Sequence, residues 1–161
     1  MTAPLLLTPG PLTTRLETRQ AMLRDWGSRD DAFIALTAEL RRRLPALAGG
    51  ETSHVAVPLQ GSGTFSVEAT IATRVGPTDR LLVLVNGAYG TRMVTIGRRL
   101  GRQVEHMSWA EDEPVDPLRL DQALADDPAI THVALVHCET TTGLLNPLAE
   151  VAAITAAHGR A

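Results

Sequence analysis

Two short apolar runs, each flanked by segments of helical length, constrain the fold more than any other feature of the sequence. Residues 81–85 read Leu-Leu-Val-Leu-Val, and residues 133–136 read Val-Ala-Leu-Val. Runs of this length without polar alternation are typical of strands that are buried on both faces. Parallel strands of that kind need crossover connections, which are usually helices. The alternation therefore predicts an α/β fold, with a mostly parallel sheet and helices on both of its faces.

The remaining elements follow from the same periodicity. We expect strands near 54–59, 80–85, 104–108 and 131–137, preceded by two helices over 12–24 and 28–47. Asp116-Pro117 and Asn146-Pro147 each place a capping residue before a proline and predict helix starts. A strand should follow the last helix, which ends near Gly159. We therefore expect the chain to be part of a longer protein, with exposed apolar surface where further strands would pack.

The composition excludes several classes of function and mechanism for this chain. The 161 residues correspond to one domain or part of one. The net charge of -3 does not favour nucleic acid or an anionic membrane as a partner. The start of the chain lacks the pattern of a secretory signal, and the lone cysteine, Cys138, suits a reducing cytoplasm. All 15 basic residues are arginine, so this chain cannot supply a lysine amine to any mechanism.

The segment Gln60–Ser66 lies between a predicted strand and a predicted helix. Its residues Ser62, Gly63 and Thr64 combine a flexible backbone, two hydroxyls and the free N–H groups of a helix start. Such a start suits a phosphate, although an ordinary turn with capping hydroxyls has the same composition. The segment lacks the third glycine of the dinucleotide-binding motif and the lysine of a P-loop.

Two more polar loops follow the apolar strands. Asn86–Arg92 contains Tyr89, the only tyrosine, which either stacks on a flat heterocycle or packs the loop against the core. His137–Gly143 offers three successive threonine hydroxyls. Its adjacent His, Cys and Glu point to alternate faces, so we expect no metal site, and we expect Cys138 to be a small core residue. Ligands of parallel sheets bind at the carboxyl edge, so the three loops together predict a site for a phosphate and a planar ring.

Four segments, taken in order, resemble the class V, fold-type I, pyridoxal-phosphate aminotransferases. They are Leu5–Thr14, Leu59–Ala69, Asn86–Met93 and His137–Pro147. The resemblance implies the N-terminal part of the large domain of that fold, with residues 1–27 at the mouth of the active site. Residues 28–161 would form an incomplete cofactor-binding domain.

The resemblance also implies roles for individual residues. Ser62, Gly63 and Thr64 match the loop that holds the phosphate of pyridoxal 5'-phosphate, and Tyr89 matches the aromatic residue that stacks on the pyridine ring. Thr140 matches the hydroxyl near the cofactor's 3-hydroxyl group. Pro9 and Gly10 match a segment near the acidic group of the substrate. Arg92 is left open between a charge role at the site and a structural role.

Within the family, the loops are most similar to those of members that move the amino group of 2-aminoethylphosphonate to pyruvate, giving phosphonoacetaldehyde and alanine. The resemblance further implies a homodimer with the site near the subunit interface. The family's pyridine-pairing aspartate, Schiff-base lysine and substrate-binding arginine match no position in this chain, so we expect it to be inactive alone. Two alternatives stay open: an alanine– or serine–glyoxylate type of aminotransferase, and a non-catalytic fragment that binds a phosphate ligand.

Overall fold

The computed structural model describes residues 4–7 and 10–161. The chain divides into two compact units, with the boundary between Gln60 and Gly61. The division at residues 27/28 that the resemblance implies stays a prediction. No helix within the described residues is long and apolar enough to cross a membrane.

The first unit contains a short antiparallel bridge and two helices. Leu7 and Leu12 form the bridge. Beside it, the Leu6 N–H donates to the Thr13 hydroxyl at 2.7 Å, and the Thr13 N–H donates to the Leu6 carbonyl at 3.0 Å. The helices are α1 (Leu16–Ala21) and α2 (Asp31–Leu47). The first helix is shorter than the predicted 12–24. Leu12 pairs with Leu7 and Thr13 with Leu6, which delays its start, and the helix ends at Ala21 with Met22 as its C-cap.

The strand predicted at 54–59 is wrong. These residues have no regular structure, and the side chains of Val55 and Val57 are exposed. Pro58 has no N–H to donate to a ladder, and the Ala56 carbonyl accepts its hydrogen bond from the Arg41 side chain instead. Valine content alone therefore predicted a strand for which no neighbouring strand is present among the described residues.

The second unit is a three-stranded parallel sheet with helices. The predicted strands at 80–85, 104–108 and 131–137 are confirmed as β1 (Arg80–Val85), β2 (Gln103–Ser108) and β3 (Ile130–Leu135), which lie in the order β2-β1-β3. A two-stranded antiparallel hairpin of β4 (Cys138–Glu139) and β5 (Leu144–Leu145) follows β3. The elements are α3 (Gly63–Arg74), β1 (Arg80–Val85), α4 (Ala88–Arg99), β2 (Gln103–Ser108), α5 (Pro117–Asp126), β3 (Ile130–Leu135), β4 (Cys138–Glu139), β5 (Leu144–Leu145) and α6 (Leu148–Ala157).

Strand β1 is the centre of this unit, and its alternating side chains form two separate cores. Leu81, Val83 and Val85 pack on the face covered by α3 and α4. Leu82 and Leu84 pack on the opposite face, with residues of α5 and α6. Because successive side chains of a strand point to opposite faces, an uninterrupted apolar run supplies both cores. The structure confirms the expected α/β fold with helices on both faces.

The outer edge of β3 borders an apolar groove of about 590 Å³ between α3 and α6. Ala161 pairs with this edge: its N–H donates to the Thr131 carbonyl at 3.1 Å, and its carbonyl accepts from the Val133 N–H at 2.8 Å. Most of its apolar lining is buried or half-buried, so the exposed apolar surface expected where further strands would pack stays a prediction.

Candidate functional site

The carboxyl ends of β1 and β3 lie side by side because the two strands pair in parallel. The Asn86–Arg92 loop leaves β1 at this edge, and the hairpin that contains Thr140 follows β3. Helix α3 begins nearby, since the Arg92 side chain contacts Thr64 in its first turn. The structure thus brings Ser62, Gly63, Thr64, Tyr89 and Thr140 into one unit at one edge of the sheet.

The first turn of α3 has the properties of an anion site. Ser62 is the N-cap, and its hydroxyl accepts the N–H of Phe65 at 3.2 Å. The N–H groups of Gly63 and Thr64 have no hydrogen-bond partner among the described residues. Open space surrounds Gly63, with no atom within 4 Å of the position that a Cβ would take. Two free N–H groups at a helix start, in an accessible position, fit a phosphate.

Arg92 contacts both the first turn of α3 and the ring of Tyr89. Its Nη1 donates to the Thr64 hydroxyl at 3.3 Å, and its Cζ lies 4.8 Å from the centre of the Tyr89 ring. The guanidinium therefore stands between the two groups that the sequence assigned to phosphate and ring. This position favours the charge role that the sequence left open.

Tyr89 lies in the first turn of α4, and its side chain is 40% exposed. It is not a core residue, so the structure favours the stacking interpretation over packing of the loop. Arg92 covers one face of the ring. A planar ligand that stacks on Tyr89 would therefore use the opposite face.

The three threonines of the hairpin differ in what their hydroxyls do. The Thr141 hydroxyl donates to Glu139 Oε1 at 2.9 Å, and the Thr142 hydroxyl donates to the Glu139 carbonyl at 3.4 Å. The hydroxyl of the half-buried Thr140 makes no hydrogen bond to any described residue. Thr140 is thus the threonine whose hydroxyl is available to a ligand.

One further side chain at this edge, that of Glu139, has a function that the sequence analysis missed. The carboxylate of Glu139 is completely buried and binds the start of α4. Its partners in α4 lie about 50 residues away along the chain, so no local pattern signals the contact.

No group of three or more potential metal ligands occurs in the described part of the chain. The expectation for Cys138 is wrong: its thiol is exposed, because Glu139, its neighbour in the strand, takes the inward position.

Asn146 does not cap the last helix as predicted. The N-cap of α6 is Pro147, without a side-chain hydrogen bond. The amide of Asn146 instead exchanges two hydrogen bonds with Asn86, at 2.9 and 3.1 Å, and also binds the Val115 N–H and the Val136 carbonyl. This buried pair ties the end of β1 to the exit of the hairpin. The Asp116 cap is confirmed, since its carboxylate accepts the Leu118 N–H at 2.8 Å.

The two residues predicted to lie near the substrate belong to the first unit. Pro9 lies outside the described residues. Gly10 is exposed and joined to Pro11 by a cis peptide bond. Their role at the site stays a prediction.

Curated proteins and solved structures resemble this chain closely. The chain is 56% identical over 158 residues to the 2-aminoethylphosphonate–pyruvate transaminase of Pseudomonas putida, which aligns with 98% of the chain. It is 59% identical over 158 residues to 2-aminoethylphosphonate–pyruvate transaminase 2 of Burkholderia lata. The chain spans 43% and 42% of these relatives. No profile of a known protein family matches it.

Among solved structures, pyridoxamine–pyruvate aminotransferase from Mesorhizobium loti superposes with a TM-score of 0.88 at 26% identity, covering 98% of this chain and 40% of that one. Alanine–glyoxylate aminotransferase from Nostoc sp. superposes with a TM-score of 0.85 at 35% identity, covering 99% and 43%. In sequence and in fold, the chain is therefore similar to the N-terminal part of fold-type I aminotransferases.

Proposed function

We propose that this chain is the cofactor-binding part of an enzyme that transfers the amino group of 2-aminoethylphosphonate to pyruvate, giving phosphonoacetaldehyde and alanine. The observation that carries the proposal is the 56–59% identity to two transaminases named for these substrates, over 98% of the chain. The proposed cofactor is pyridoxal 5'-phosphate. When bound, it supplies an aldehyde that reacts with amines and a ring that withdraws electrons from the carbon beside the nitrogen.

The residues at the sheet edge fit the phosphate of this cofactor. The free N–H groups of Gly63 and Thr64 would donate to phosphate oxygens, with the hydroxyls of Ser62 and Thr64 as further donors. The Arg92 guanidinium, 3.3 Å from the Thr64 hydroxyl, would supply the positive charge. We therefore propose Arg92 as a phosphate-binding residue beside the three that the sequence identified.

The same edge fits the ring of the cofactor. Tyr89 would stack on the pyridine, which orients the ring and keeps water from one of its faces. The unengaged Thr140 hydroxyl would bind the ring's 3-hydroxyl group. The 161 residues contain no lysine, so a side-chain amine that bonds to the cofactor must come from residues outside them. We expect this chain to have no transaminase activity by itself.

We propose that the complete protein is a homodimer. Helix α2 has no buried residue, and it exposes the side chains of Ile34, Leu36, Leu40 and Leu44. Apolar side chains in such number favour a homodimer, in which a second copy covers them. We place the enzyme in the reducing cytoplasm because its cysteine, Cys138, is an exposed free thiol.

The test is an assay of the complete protein that contains this chain, with 2-aminoethylphosphonate, alanine and serine as competing amino donors. We expect kcat/KM to be highest for 2-aminoethylphosphonate with pyruvate as acceptor, and alanine to appear in equal amount to the aldehyde. A preference for alanine or serine with glyoxylate would replace the substrate assignment. A protein that binds the cofactor but transfers no amino group would support the non-catalytic alternative.

A further inference from the structure

We propose that Glu139 is a positioning residue that sets the spacing between the two ring-binding residues, Tyr89 and Thr140. It does not position the phosphate turn, which is the start of α3 at residues 62–64. The inference rests on the proposed function, because it concerns how the same site holds its cofactor. It assigns a role to a buried carboxylate that takes no part in the ligand contacts described above.

The carboxylate of Glu139 is fully engaged inside the protein. The residue is 0% exposed. Its Oε2 accepts the backbone N–H groups of Tyr89 at 3.2 Å and Gly90 at 3.4 Å, and its Oε1 accepts the Thr141 hydroxyl at 2.9 Å. A buried carboxylate is stabilised only when its oxygens find such donors. Burial of the Glu139 carboxylate therefore depends on these hydrogen bonds together.

Glu139 does the work of a capping residue for α4. The N-cap position of this helix is Gly87, which has no side chain to accept the N–H groups of the first turn. Glu139 reaches them from the hairpin, and its negative charge lies at the positive end of the helix dipole. Gly87 is required for this approach, because a Cβ there would overlap Cγ of Glu139.

The same residue also organises the hairpin that carries Thr140. The Glu139 carbonyl accepts the N–H groups of Thr142 at 3.2 Å and Gly143 at 2.8 Å, which closes the turn after Thr140. Thr140 is the next residue after Glu139 in the chain. A shift of the Glu139 side chain relative to α4 therefore moves Thr140 and Tyr89 apart, although neither ring-binding side chain changes.

Glu139 does not bind the phosphate turn directly. Among the described residues, no hydrogen bond joins Glu139 to Ser62, Gly63 or Thr64, and that turn is linked to α4 through the Arg92 side chain instead. The two helix starts at this edge also differ in charge. The start of α4 is neutralised by Glu139, whereas the start of α3 has free N–H groups. An anionic group of the ligand is therefore directed to α3 and away from α4.

The experiment measures three dissociation constants for the complete protein and its variants: those of pyridoxal 5'-phosphate, pyridoxal and inorganic phosphate. The variant Glu139→Gln keeps the shape of the side chain and removes the charge. We expect it to weaken both pyridoxal compounds by about tenfold, since the hydrogen bonds that hold the start of α4 to the hairpin lose their charge assistance. We expect inorganic phosphate to bind within about twofold of the wild type, because the Glu139 carboxylate binds neither the α3 turn nor Arg92 among the described residues.

Two matched variants complete the design. Glu150→Gln removes an exposed carboxylate on α6 and should change none of the three constants. Thr141→Val deletes one donor to the Glu139 carboxylate without touching the charge, and it covers the case in which Glu139→Gln does not fold. It should weaken pyridoxal several-fold and leave inorganic phosphate unchanged.

The outcomes separate cleanly. Loss of pyridoxal and inorganic phosphate by the same factor in either variant would show a general structural role and overturn the inference. Unchanged pyridoxal affinity in a folded variant would overturn it as well. If the wild-type protein binds none of the three ligands, the proposed function fails. If it binds all three, the proposed function stands and the variants test the role of Glu139 alone.

Discussion

Arg92 donates a hydrogen bond from Nη1 to the hydroxyl of Thr64 over 3.3 Å, which connects helix α4 to the first turn of α3. Its guanidinium also covers one face of the Tyr89 ring. A single exposed cation thus contacts both the proposed phosphate turn and the proposed stacking residue. Both contacts lie inside the second unit.

The contact leads to a prediction for Arg92. Arg92→Gln should weaken pyridoxal 5'-phosphate by roughly tenfold or more, because a charge-assisted hydrogen bond contributes about 1.5–3 kcal/mol. Pyridoxal, which has no phosphate, should lose little affinity. Titrations of the complete protein with both compounds check this, with Arg99→Gln in the last turn of the same helix as the control. Equal losses for both compounds would contradict the phosphate role.

The close approach of Gly87 to Glu139 leads to a prediction for stability. Gly87→Ala should lower the free energy of unfolding by about 1–3 kcal/mol, because the added Cβ meets side-chain atoms of a buried residue. Gly63→Ala is the matched control, since its Cβ would meet no atom within 4 Å. Urea denaturation of both variants gives the comparison. An equally stable Gly87→Ala protein would show that Glu139 can move aside.

The buried pair of Asn86 and Asn146 should behave as one unit. Asn146→Ala leaves the amide of Asn86 without one partner and should cost about 1–3 kcal/mol of stability. The double variant with Asn86→Ala should cost less than the sum of the two single changes, because each single change already breaks the shared bonds. A double-mutant cycle by chemical denaturation measures this, and simple additivity would argue against the coupling.

Asp127 gives a prediction for pH. The Ala129 N–H at 2.9 Å and then the Arg80 guanidinium at 2.6 Å lower the pKa of this carboxyl group below its ordinary value. A lowered folded-state pKa adds stability above the unfolded-state pKa of about 3.9, and this stability disappears as the pH falls through the folded-state value.

Asp127→Asn should therefore unfold at a lower temperature than the wild type at neutral pH. The difference should shrink as the pH falls below about 4. Asp126→Asn, which changes a neighbouring carboxylate that accepts the Gln122 amide, is the control. Thermal melts across the pH range test this, and a gap that stays constant into acid would contradict it.

The absence of lysine leads to a prediction for cofactor chemistry in the 161-residue chain. Binding of pyridoxal 5'-phosphate should be weak and reversible, through the phosphate and ring contacts alone. Borohydride reduction followed by mass analysis should find no cofactor bonded to any side chain. An adduct at the N-terminal amine would be compatible with this expectation, whereas an adduct within the folded body would contradict it.

Local pattern was sufficient wherever neighbouring residues carry the information. The apolar run at 81–85 predicted a strand buried on both faces, and β1 supplies both cores. Asp116-Pro117 predicted a helix start, and the Asp116 cap is present. The threonines after β3 predicted a polar turn at the carboxyl edge of the sheet. The same reasoning failed at 54–59, because a strand also needs a partner, and partners are chosen by the tertiary fold.

What the sequence by itself determined is the set of elements, their alternation and the loops at the carboxyl ends of the strands, because periodicity, capping and turn chemistry act between near neighbours. Only the tertiary structure decided that Glu139 binds the start of α4, that Asn146 pairs with Asn86 and that Arg92 reaches Thr64. These partners lie 28 to 60 residues apart along the chain. Such contacts form because packing of the sheet and its helices brings the elements together, and no local pattern encodes that meeting.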